Sequence, residues 1–337
     1  MKALCLLAPA LVVCAAPAFA YVTVSSPTIN ASVSSPFWLS AKASPCSTQP
    51  VAAIGYSLDN STSTIIFNGA TIGANVMTAN GGHVLHVKSW GNLGASCVTD
   101  VPISVVTAAG AIVPPKAIAA GGMQTLKTWQ AAYDTATGSG TSSGTMSLVN
   151  SPSVSGTARE FLTTYNNYGG ERYSILFGTD SSSTNFLLDT RIYVASPNTG
   201  IANIELDLNQ VMSNGETVIF GFQCDGWSNT WDYTVNEGTP QQPVDKWMHS
   251  TQGCNPRKWT ANTWHHLQIS YSRDTAGYVT YKSVWFDGVQ QDINATAPSA
   301  FALGWGPALL ANLQVDGATS TSGSAIVYLD NLTVYRW

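Results

Sequence analysis

The segment Asn203-Ile204-Glu205-Leu206-Asp207-Leu208-Asn209-Gln210 holds the tightest cluster of chemistry-bearing side chains in the chain. On an extended strand, with its period of two, Asn203, Glu205, Asp207 and Asn209 project from one face and Ile204, Leu206 and Leu208 from the other. Two carboxyls about 7 Å apart on one strand face repel each other unless they have partners or a task. Ion pairing to Arg172 or Arg191 would make this an ordinary polar outer face. A groove that grips sugar hydroxyls would use the same carboxyls and amides without any reaction. A lyase would need a Tyr or His base beside a cation, and Arg191 and Tyr193 share a strand face with Asp189.

A second cluster, Gln223-Cys224-Asp225-Gly226-Trp227-Ser228-Asn229-Thr230-Trp231-Asp232-Tyr233, sets three aromatics and two carboxyls just beyond a strand. Aromatic rings stack on the apolar face of a pyranose while Asp, Asn and Gln bond its hydroxyls. The connection runs on through Trp247 and His249 to Cys254, roughly 30 residues, and loops of that length are often functional. Trp264 and Trp285, on predicted strands, are expected in the core. His265 and His266 are adjacent, so they point to opposite faces and cannot act together.

These residues belong to a chain of 337 residues of which only 10% are charged, with 14 Lys+Arg against 19 Asp+Glu. An average domain carries about 25% charged residues, so Ser, Thr, Asn, Gln and Gly cover this surface instead. A net charge of -5 gives no basic footprint for nucleic acid, and no stretch beyond the leader is long and apolar enough for a membrane span. Lys2, the apolar run from Ala3 to Ala16, and Ala18-Phe19-Ala20 read as a signal peptide over residues 1–20. The expected location is extracellular or periplasmic. Four cysteines then remain, and they allow three pairings. Cys46–Cys97 and Cys224–Cys254 are preferred, since each pair falls inside one domain. No CxxC or clustered histidine points to zinc. No cofactor is expected, although a structural calcium ion would leave no mark on the sequence.

The hydrophobic pattern is that of short alternating strands with no sustained helical period. Residues 21–106 read as one β-sandwich, 107–125 with Pro114-Pro115 and Gly121-Gly122 as a linker, and 126–337 as a second sandwich. His83 and His86 in the first domain are read as edge residues.

Val24-Ser25-Ser26-Pro27, Tyr56-Ser57-Leu58-Asp59 and the run Gly82 to Trp90 resemble bacterial Ig-like domains. Trp264 to Tyr271, Asp274, Gly277, Val284-Trp285-Phe286-Asp287-Gly288-Val289 and the final strand Val327 to Tyr335 resemble the concanavalin A-like (laminin-G-like) jelly-roll superfamily of lectins, glycoside hydrolases and polysaccharide lyases. Glu205-Leu206-Asp207-Leu208-Asn209 is similar to the Glu-x-Asp-x-Glu strand of the laminarinase-like retaining β-glucanases in that superfamily. That resemblance implies Glu205 as nucleophile and Asp207 as its helper. Asn209 stands where the acid/base would be, and an amide cannot transfer the proton. Glu171, in Gly169-Gly170-Glu171-Arg172, is the candidate replacement from a neighbouring strand.

The expectation is an all-β protein: an Ig-like sandwich followed by a concanavalin A-like jelly roll that binds a polysaccharide or cell-surface glycan as a monomer. The binding residues would be Asn209, Gln223, Asp225, Trp227, Trp231, Tyr233 and Arg191, with Glu205 and Asp207 catalytic if the chain is an enzyme. A retaining endo-glycosidase and an adhesion protein without a glycan ligand are the alternatives.

Overall fold

A computed structural model describes residues 22–33, 35, 37–76, 78, 81–105, 110–134 and 140–337. The leader expected over residues 1–20 lies outside them. The chain divides at Thr107/Ala108 into two compact units, and the described residues of both are built almost wholly from strands. No helix among the described residues is long and apolar enough to cross a membrane.

In the first unit, one sheet is ordered Val22–Ser26, Phe37–Ala43, Thr71–Val76. The other is ordered Ala31–Val33, Ser96–Val105, Gly81–Gly91, Val51–Leu58, Ile65–Asn68. Strict alternation in Phe37–Ala43 sends Phe37, Leu39, Ala41 and Ala43 inward. They meet Ile54, Leu85, Val87, Val101 and Ile103 in one core. The Cys46–Cys97 disulfide forms as expected, with the Cα atoms 5.9 Å apart. His83 bonds Asp59 and His86 bonds Asp100, each through its Nδ1.

The second unit is a sandwich of two larger sheets. The outer sheet follows the order Thr141–Val149, Ala158–Asn166, Gly323–Arg336, Asn185–Val194, Trp264–Arg273, Tyr278–Phe286, Val289–Pro298. The facing sheet follows Gln130–Tyr133, Gly170–Gly178, Leu309–Gly317, Ile201–Val211, Phe222–Asp225, Thr230–Asn236, Asp245–Gly253. Their inward side chains make a single core that includes Phe161, Tyr173, Phe186, Leu206, Phe222, Trp231, Leu313 and Val327. The Asp287-Gly288 turn expected after Phe286 is present, with both residues at positive φ (49° and 77°), the backbone a two-residue hairpin demands.

Four sequence expectations change. Trp264 and Trp285, expected in the core, are only half-buried and stand outside it. Residues 107–125 are not all linker: Ile118–Ala120 pairs with the final strand, and Met123 packs into the core at 1% exposure. The single strand expected ahead of the Gln223 cluster is two strands, Thr217–Phe220 and Phe222–Asp225. Between them at Gly221 a Cβ would lie 2.4 Å from the Thr234 methyl, so the neighbouring strand is accommodated only by glycine. The stretch from Cys224 to Cys254 is not a long loop, because Thr230–Asn236 and Asp245–Gly253 form a hairpin inside the sheet. Its Cys224–Cys254 disulfide is present, with Cα atoms 5.2 Å apart.

Candidate functional site

The facing sheet presents its polar side away from the core, and register aligns that side into rows. One row runs Arg172, Gln314, Glu205, Gln223, Asp232 across five neighbouring strands. The next runs Ser174, Asn312, Asp207, and a third brings Asp316, Asn203 and Asp225 side by side. The cause is local: in Leu309–Gly317 the residues Ala311, Leu313 and Val315 face the core, which turns Asn312, Gln314 and Asp316 outward. The Ile201–Val211 strand alternates in step with it.

These rows floor a groove of about 470 Å³ lined by Asp134, Arg172, Glu205, Asp207, Asn209, Asp245, Asn312 and Gln314, with Trp247, Leu303 and Trp305 as walls. It continues into a hollow of about 240 Å³ bounded by Asp134, Tyr168, Glu205, Gln223, Trp227, Trp247, Gln314 and Asp316. Trp227 and Trp305 are 54% and 46% exposed, unusual for the largest side chain and suited to stacking. Tyr168 meets Trp227 edge to face at 5.8 Å, and the Arg257 guanidinium lies 5.4 Å from the Trp227 ring on another side.

The groove carboxyls are crowded and largely dry. Burial pushes the Glu205 carboxyl well above its usual range, and the charges of Asp207, Asp316 and Asp134 add to it. Asp207 is also raised by burial, but a hydrogen bond with Glu205, the Phe222 N–H at 3.1 Å, Asn312 and the Arg172 charge all favour its ionised form. Glu205 is therefore the carboxyl of the pair pushed further above its usual range. Burial, with Asp134 nearby, pushes Asp316 up to about 7. The Gln314 amide donates to both Asp134 and Asp316, each at 3.2 Å. Burial and Asp207 likewise raise Asp245. The amide oxygens of Asn209 and Asn312 are buried with no hydrogen-bond partner among the described residues. An acceptor left unpaired in this way costs about 1–3 kcal/mol.

Glu205, Asp207, Asn209, Gln223 and Trp227 thus meet at one site. Asp225 reaches the same face but caps the turn after it, accepting the Trp227 and Ser228 N–H groups at 2.8 and 2.9 Å. Four expected residues lie elsewhere. Trp231 is 2% exposed and stacks on Phe222 at 5.3 Å inside the core, since the strand alternates where a loop was expected. Tyr233 is on that same inner side, 5.0 Å from Tyr281. Glu171 is buried between the sheets, where the Ser142 hydroxyl donates to it at 2.5 Å, so it cannot replace the missing acid. Arg191 belongs to the other sheet, opposite His266 and Asp330.

Missed from the sequence were Asp134, Asp245, Asn312, Gln314, Asp316 and Trp305, while Arg172 was anticipated only as an ion-pair partner and Trp247 only as part of a loop. For three of them a signal existed, the period-two run of Leu310 to Asp316. Asp225, Asp232 and His249 place one donor atom each within 4.8 Å of one another, a spacing a cation could occupy. All four of those carboxylate oxygens already accept hydrogen bonds, from Trp227, Ser228, Thr230 and His249, so the group closes as a hydrogen-bonded knot.

No protein-family model matches the chain, and no curated protein matches it in sequence. Among solved structures, a carbohydrate-binding module of the β-sandwich superfamily covers 93% of this chain and 96% of its own, at 12% identity and a TM-score of 0.32. An endo-1,3-β-glucanase from Streptomyces sioyaensis covers 67% and 99% at 11% identity and a TM-score of 0.30. A family 7 alginate lyase covers 56% and 81% at 14% identity and a TM-score of 0.30. At such values the likeness carries no argument about what this chain binds. The site rests on its own geometry.

Proposed function

We propose that the second unit binds a polysaccharide chain along the groove over the Ile201–Val211 and Leu309–Gly317 strands. One observation carries this reading: a floor of amides and carboxyls, with two unpaired amide acceptors, stands between exposed tryptophan faces. That combination fits a ligand with apolar ring faces and hydroxyl edges. Under this reading the chain is exported, its first unit is an Ig-like spacer or adhesion module, and the ligand is a free polysaccharide or a cell-surface glycan.

Hydrolysis is the second reading, favoured by the three carboxyls at the same spot. The diagonal neighbour Asp316 now takes the place proposed for Glu171, and with its carboxyl near 7 it keeps a proton to donate close to neutral pH. Against this, double displacement needs Glu205 ionised, and burial and the Asp207 charge both disfavour that form. Binding without cleavage is the better supported of the two. Lyase chemistry would need cations to neutralise a uronate, and Arg172 is the only one lining the groove among the described residues.

The test is to pass the purified chain and its Glu205→Gln variant over soluble and insoluble glycans, scoring both retention and reducing-end release. Retention without release is the expected result. Release abolished by the substitution would establish the hydrolase instead, and an ultraviolet-absorbing unsaturated uronate would establish a lyase.

A further inference from the structure

The groove is short of donors and rich in acceptors. Among the described residues five carboxyls line it, from Asp134, Glu205, Asp207, Asp245 and Asp316, against the single guanidinium of Arg172. The carboxyls come from three strands and the segment beside Tyr133, so register assembles them; they are not one run of neighbours in sequence. Independently, Asn209 and Asn312, at 3% and 6% exposure, line the same groove, and their amide oxygens have no hydrogen-bond partner among the described residues.

A neutral sugar hydroxyl both donates and accepts, so it would satisfy the unpaired amides but do little for five crowded acids. An ammonium group has three donors, no acceptor and a positive charge. It would relieve both the repulsion among the carboxyls and the unpaired acceptors. A uronate or sulfated sugar would add another anion to the cluster, the least favourable choice. Trp247 and Trp305 flank the acids closely enough to line the same cavity, which places ring faces and a cation in one ligand.

Resting on the reading of this groove as a glycan site, we infer that its preferred ligand is a glycan with free amino groups, a polymer of 2-amino-2-deoxy sugars that are not acetylated. The acids select the amine and the tryptophans hold the ring. Acetylation of the amine removes both the charge and two of the three donors, so it abolishes the preference.

The probe is a set of matched β-1,4-linked oligosaccharides of equal length, composed of glucosamine, N-acetylglucosamine, glucose or a uronic acid, with oligolysine as the peptide control. Each is titrated calorimetrically into the full chain at a mildly acidic pH where the amine is charged. The glucosamine oligomer is expected to bind at least about tenfold more tightly than its acetylated and glucose counterparts, an excess that narrows as salt screens the carboxyls. In an Asp134→Asn/Asp316→Asn variant shown to be folded by circular dichroism, the ratio is expected to fall towards unity.

Equal binding of the glucosamine and glucose oligomers would overturn the inference and leave the glycan site intact, as would preference for the uronate. Binding of oligolysine with no binding of any sugar would overturn the inference and the glycan reading together. Silence towards every probe does the same.

Discussion

Burial raises the carboxyls of both Glu205 and Asp207 where the sequence shows only two acids on one strand. The neighbours separate the two: the Phe222 N–H, Asn312 and Arg172 all favour ionised Asp207. Asp316 is the more useful probe, because its carboxyl is raised to about 7 by burial and by Asp134. The folded state then holds a proton that the unfolded chain gives up near pH 4. Stability is greatest below that point and falls as pH rises towards about 7. Asp316→Asn removes the penalty, which is on the order of 4 kcal/mol once Asp316 is fully ionised. Urea unfolding should therefore show the variant gaining on the parent between about pH 4 and pH 8. A variant that loses stability equally at both pH values would contradict the burial of Asp316.

At the scale of elements, the groove depends on strands whose inner faces are largely apolar. Leu313 is fully buried between Gln314 and Asn312, so it holds the floor of the site in place without touching a ligand. Leu313→Ala is expected to cost about 2–5 kcal/mol in denaturant unfolding and to weaken glycan retention at temperatures where the fold survives. The hairpin bearing Trp231 and Trp247 is tied by Cys224–Cys254, and removing that bond should cost roughly 3–4 kcal/mol in the chain-entropy model. A double Cys→Ser variant that unfolds at the parental urea midpoint would argue against that contribution. The strands at Ile201–Val211, Asn185–Val194 and Gly323–Arg336 were legible because their alternation is clean and rich in β-branched and aromatic residues. Asp245–Gly253, largely polar at an edge, carries almost no such signal. Its invisibility made Trp231 look like a loop residue. Pairing order is also absent from the sequence, so Glu205, Asp316 and Asp134 could not be placed together without the sheet.

At the scale of the molecule, the two units have separate cores, one around Leu39, Ile54 and Leu85 and the other around Phe161, Phe222 and Leu313. Two transitions are expected in scanning calorimetry, and replacing Cys46 and Cys97 by Ser should lower only one of them. A single cooperative transition shifted by that change would show the units unfold as one. The chain carries only 10% charged residues, and five of its 19 acids line one groove. A surface with few ions elsewhere limits nonspecific attraction, so the groove charge can act as a selector.

The most direct test of glycan binding by this groove is retention of the full chain on a panel of immobilised polysaccharides, set beside a Trp247→Ala/Trp305→Ala variant. The parent is expected to be held on at least one polysaccharide, and the folded variant to pass through with affinity reduced about tenfold or more. Retention that survives the loss of both tryptophans, or no retention by the parent on any glycan, would contradict it.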